Sequence, residues 1–180
     1  IFILTQALAL AATASAADYT KDKASWNGLG YLAETAKEAK VKLRFAETLE
    51  WKDVKPSDNL LLLYPNGELP VGDILRFVTD GGDLIVADDY GSSEELLKSF
   101  RMERSQPDLA AHSTYHEGRT AFPVFDIEGD HFLFYNVRSI TTNHPMAIHG
   151  EGEPVLSYGG GEQHLVLESK RAWEALGQIT

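Results

Sequence analysis

There is no cysteine anywhere in this sequence. That absence removes disulfides, thiolate zinc sites and every cysteine nucleophile together. An exported bacterial protein can do without disulfides, so the compartment is not fixed by it. Positive charge is also scarce. The 16 lysines and arginines stand against 27 aspartates and glutamates, a formal net charge of −11. A basic face for phosphate backbones is therefore not expected, which excludes nucleic acid as a partner. Electrostatic docking to an anionic membrane is excluded for the same reason. No serine stands in a G-x-S-x-G elbow and no H-E-x-x-H pattern occurs. Internal repeats and low-complexity stretches are missing too.

What is present begins with Ile1 to Ala16, an uncharged and mostly apolar segment ending in Ala14-Ser15-Ala16. This matches the apolar core and cleavage site of a secretory signal peptide, and it is too short and alanine-rich for a membrane span. The expected organisation is a signal peptide over residues 1–16, clipped at its start. A single α/β domain over residues 17–180 would follow, itself truncated, with a membrane anchor beyond Thr180 left open. The expected location is exported, in the periplasm or cell envelope.

The remaining chain alternates strand and helix signals. Asn27 can cap a helix over Gly28 to Lys40, and Val41 to Ala46 alternates as a half-exposed strand. Leu60 to Pro65 reads as a buried strand. Pro70 opens a helix carrying Val71, Ile74, Leu75 and Val78, closed by Gly81-Gly82. The central stretch is Asp83-Leu84-Ile85-Val86-Ala87-Asp88-Asp89-Tyr90-Gly91-Ser92-Ser93, an apolar strand ending in two carboxylates and a turn. A helix over Ser93 to Phe100 follows, with Ser92 and Glu95 spaced as a capping box.

Beyond Phe100 the pattern changes. Arg101 to Arg119 reads as a polar loop or flap. Ala121–Ile127 and His131–Val137 suggest a hairpin around Glu128-Gly129-Asp130, and Ser139 to Asn143 a short strand. Pro154–Tyr158 and His164–Glu168 suggest another hairpin around Gly159-Gly160-Gly161. Strand, helix, strand, helix at the earlier spacing predicts a parallel sheet. The expected fold is α/β, a parallel sheet flanked by helices with a β-rich C-terminal part.

Gly28 through Leu97 resembles the domain-of-unknown-function 4350 family. The resemblance is carried by Leu60-Leu61-Leu62-Leu63-Tyr64-Pro65, by Phe77 to Gly91 with its Gly-Gly-x-Leu-x-Val-Ala-Asp-Asp core, and by Leu96-Leu97. A later echo is Thr142-Asn143-His144-Pro145. The resemblance implies a flavodoxin-like, class I glutamine amidotransferase-like fold in a bacterial cell-envelope protein with no established activity. Amidotransferase chemistry itself needs a cysteine nucleophile, and this chain has none.

In open α/β sheets ligands bind at the carboxyl ends of strands, which directs attention to Asp88, Asp89, Tyr90, Gly91 and Ser92. The functional expectation is a surface there that binds a ligand or a protein partner. The bland alternative is that one carboxylate caps amides of the Tyr90-Gly91-Ser92 turn while the other is solvated. A phosphate ligand is disfavoured, because Asp88, Asp89, Glu94 and Glu95 repel anions. A second expectation is a metal-dependent hydrolase in which Asp88 or Asp89 joins His112 and His116, four residues apart, around a divalent ion. Phe122, Phe125, Phe132, Phe134 and Tyr135 are expected to pack. The favoured function is non-catalytic, with no cofactor, because no complete set of nucleophile, base and oxyanion donors is in view.

Overall fold

The computed structural model describes residues 28–46, 49–159 and 161–169. The signal-peptide reading, the Asn27 cap and the segment from Lys170 onward lie outside those residues. The chain divides between Thr48 and Leu49 into two compact units.

The first unit carries α1 (Gly30–Glu38), shorter at both ends than the spacing predicts. Val41–Ala46 follows it without strand pairing. The expected strand there is not formed. Its alternation of apolar and basic residues satisfies the period, yet a strand exists only through a partner's hydrogen bonds.

In the second unit, β1 (Asn59–Leu63) and β2 (Asp83–Ala87) pair in parallel, from Asn59 opposite Asp83 to Leu63 opposite Ala87. Between them runs α2 (Val71–Thr79), which buries Ile74, Phe77 and Val78 at helical spacing. The next helix, α3 (Glu94–Ser99), buries Leu96 and Leu97.

The rest is antiparallel. The strands are β3 (Met102–Ser105), β4 (Val124–Asp126), β5 (Ser139–Thr141), β6 (Ala147–Gly150), β7 (Glu153–Ser157) and β8 (His164–Glu168). Four of them form a sheet in the order β3-β6-β8-β7, while β4 pairs only with β5. The expected flavodoxin-like parallel sheet flanked by helices is therefore corrected. Parallel pairing stops at two strands, and the architecture is a mixed α/β one with mostly antiparallel sheets. The physical reason lies in the connections. A parallel neighbour needs a crossover of a dozen or more residues, usually helical, and no α-helix follows α3 among the described residues.

Two local expectations also change. β4 pairs with β5, not with His131–Val137, which holds a 3-10 turn at Phe132–Phe134 instead. Arg101–Arg119 contains β3, hidden from a search for apolar alternation because Met102 is its one large apolar residue. The β7–β8 hairpin forms as expected, although its register shifts twice. The core of this part is Phe125, Ala147, Leu156 and Tyr158, with Phe134 and Ile140 packed against it. Tyr135, by contrast, is 82% exposed.

Candidate functional site

The carboxyl ends of β1 and β2 are tied to each other by their loops. Tyr64 N–H donates to Ala87 O, and Ser92 N–H donates to Pro65 O at 2.8 Å. The Ser92 hydroxyl also donates to Pro65 O and makes a short contact with Gly67 O. Ser92 thus fastens the β2 loop to the β1 loop and does not close a capping box. The residue preceding α3 is Ser93, with no side-chain cap.

Asp88 holds the turn from inside. Its Oδ1 accepts from Gly91 N–H at 2.6 Å and its Oδ2 from Ser93 N–H at 3.1 Å. Its side chain is fully buried, and Arg104 Nη1 lies 3.0 Å from Oδ2. That approach is ionic: it is not an aligned hydrogen bond, and Arg104 Nη1 has no hydrogen-bond partner among the described residues. Arg104 Nη2 donates to Gly91 O at 2.9 Å, with Glu94 Oε1 3.8 Å away. A buried carboxylate is tolerable only with such a counter-charge and donors. Gly91 is required by crowding: a Cβ there would stand 2.5 Å from Asp88 Oδ1 and from Pro65 O. Ser93 Oγ is fully buried beside this knot and also has no partner among the described residues.

Asp89 and Tyr90 have different surroundings. Asp89 Oδ1 accepts from Tyr90 N–H at 2.9 Å, a contact within the turn. The Tyr90 ring is half exposed, while its hydroxyl donates to His144 O at 3.0 Å. The buried Tyr158 hydroxyl donates to Met146 O at 3.1 Å, so the two tyrosines hold one turn from two sides. Burial, followed by the proximity of Tyr90, pushes the Tyr158 phenol well above its usual range.

The histidines expected to join a metal site are placed elsewhere. The His112 ring packs among Tyr115, Phe125 and Tyr158, and its Nε2 donates to Val124 O at 2.9 Å. The His116 side chain is exposed, with Nε2 3.8 Å from the neighbouring Glu117. Among the described residues no three His, Asp or Glu side chains gather as metal ligands. Asp88, Asp89, His112 and His116 are not brought together.

A polar cluster that sequence reasoning missed spans β3, β6 and the start of β8. His149 Nε2 lies 3.0 Å from Glu103 Oε1, and its Nδ1 is 3.5 Å from Ser105 Oγ. Gln163 Nε2 donates to that same hydroxyl at 3.1 Å. At 3.5 Å the Ser105–His149 approach is at the limit of a hydrogen bond. Arg104, the most consequential residue missed, gives no sequence signal beyond standing two positions after Met102 on one strand face.

No curated protein and no solved structure matches this sequence. A family model does match, over residues 21–176, and its description is a domain of unknown function. On that coverage the chain belongs to the DUF4350 family.

Proposed function

We propose that this is a non-catalytic domain of an exported cell-envelope protein, which binds a partner through the strand-tip surface Asp88–Ser92. The observation that carries the reading is the division of labour within that loop. Asp88, Gly91 and Ser92 are spent on its shape, and Tyr90 is presented at its surface beside the half-buried Asp89. A half-exposed tyrosine ring on a loop pinned by a buried ion pair gives contact area at low entropic cost. The exposed neighbours Glu94 and Glu95 add negative charge, so the complementary partner is a protein segment bearing lysine or arginine. Export is supported by the apolar Ile1–Ala16 segment and its Ala-Ser-Ala end.

The test is a photo-crosslinking residue placed at position 90 in the full-length protein, expressed in its own cells. A discrete adduct is expected, lost on Asp89→Lys and retained when Tyr135, another exposed tyrosine, is changed to Ala. An adduct pattern indifferent to Asp89→Lys would overturn the assignment of the surface. Recovery of the mature chain only from the cytoplasm would overturn the location.

A further inference from the structure

We propose that His164 is an acid-operated latch joining the two halves of the four-stranded sheet, β3–β6 and β7–β8. The backbone ladder at the joint is narrow, and side-chain bonds such as Gln163 to Ser105 and Tyr158 to Met146 also cross it. β3 and β6 share four register pairs, whereas β6 and β8 share one, Ile148 opposite His164. His164 also stands opposite Ser157 on β7, where the β7–β8 register shifts. Among the described residues it is the single position at which β8 meets both of its neighbours.

The imidazole is buried, at 7% exposure, and its Nδ1 lies 2.8 Å from Ser157 Oγ. The Ser157 hydroxyl can donate to a bare Nδ1 or accept from Nδ1–H, so the neutral ring is satisfied in either tautomer. Protonation turns Nδ1 into a donor. The Ser157 hydroxyl is then confined to accepting, and the buried ring gains a charge.

The groups facing the ring do not offset that charge. β6 presents His149, whose nearest carboxylate, Glu103 on β3, is already engaged at 3.0 Å. β3 places Arg104 in the same cross-strand row, opposite Ile148, and that guanidinium is spoken for by Asp88. β7 supplies the uncharged Ser157, followed by Tyr158, whose raised affinity for its proton keeps the phenol neutral. On β8 itself Glu168 lies at the far end, 3.2 Å from His131. Glu162, two residues before His164, is exposed. Apart from that exposed side chain, a second proton therefore meets no uncommitted carboxylate among these groups. Consistently, burial first and His149 second lower the proton affinity of His164 below the ordinary histidine value.

The direction of the switch follows. The folded sheet binds the neutral ring, so the unfolded or opened state takes up a proton at higher pH than the closed one. The latch is fully engaged above the ordinary histidine pKa of 6.5 and weakens as pH falls from there through the lowered folded value.

The experiment uses the intact chain. Imidazole titration by NMR should show His164 losing its neutral form only below the ordinary histidine value of 6.5. Over the same range, amides of residues 147–150 and 164–166 should exchange about tenfold faster after correction for intrinsic rates, while α2 amides hold. His164→Gln, which keeps an acceptor for Ser157, should abolish the acid-dependent part. If that variant does not fold, the wild-type titration and exchange decide alone. An ordinary titration for His164, or uniform loss of protection across the domain, would overturn the latch.

Discussion

Arg104 on β3 reaches Asp88 at the tip of β2, its Nη1 3.0 Å from Oδ2, and both side chains are almost wholly withdrawn from solvent. The pair ties the parallel β1–β2 element to the antiparallel sheet through one ionic contact. It also shapes the candidate binding loop, because the same two residues hold Gly91 at its N–H and its carbonyl.

Removing one partner should cost much more than removing both. Asp88→Ala leaves the buried Arg104 guanidinium with only the exposed Glu94 carboxylate 3.8 Å away and is expected to destabilise by about 3 kcal/mol. Arg104→Met leaves the carboxylate with only its two backbone donors and should cost a similar amount. The double variant should be clearly milder than the sum, since no uncompensated charge remains. Urea denaturation of the four proteins measures the coupling, and strict additivity would mean that the two charges do not interact.

Gly91→Ala tests the loop by crowding instead of charge. Its Cβ would press on Asp88 Oδ1 and Pro65 O, both held in place by other bonds. A stability loss of about 1–3 kcal/mol is expected, together with weaker partner capture, because the loop must shift to make room. Gly72, where an added Cβ meets nothing, is the matched control, and Gly72→Ala should be neutral or slightly stabilising. Equal effects at the two glycines would remove the argument.

Added zinc or manganese, and EDTA, should leave the melting temperature unchanged. Asp88 has its oxygens committed to Gly91, Ser93 and Arg104, and the His112 ring is packed against Phe125 with its Nε2 on a carbonyl. A ligand that binds the native state raises its stability by mass action, so thermal scans read the question directly. A saturable rise with either metal, abolished by Asp88→Asn or His116→Ala, would restore the metal-dependent reading.

The legible parts of this chain were those in which apolar period and punctuation agree. The leucine run, the Pro70-to-Gly81 helix and the strand ending at Ala87 stand where the residues place them, although the two strands are not the buried ones expected, with Leu61 42% and Ile85 45% exposed. The alternative for Asp88, a carboxylate capping turn amides, is also what the geometry holds. The sheet topology was not legible. It depends on which strand finds which partner, and short antiparallel strands such as Met102–Ser105 and Ser139–Thr141 carry little apolar signal of their own. Arg104 illustrates the limit. Its identity as a counter-charge exists only once β3 and the β2 tip have been brought together in space.

Tyr158 offers the sharpest check on the core beneath that surface. Its ring meets Phe125 edge-on at 5.0 Å between centroids, and its hydroxyl donates to Met146 O. Tyr158→Phe keeps the ring and removes only the donor, so the carbonyl loses a bond in a dry setting. The expected loss is about 1 kcal/mol, with the aromatic packing intact. Of the two tyrosine donors to the His144–Met146 turn, Tyr90 alone would then remain. Adding Tyr90→Phe should therefore destabilise by more than the two single changes combined, because the turn has no tyrosine donor left. Each variant is measured by urea denaturation and by the exchange rates of amides 144–147. Additive losses would show that the two hydroxyls act on the turn independently.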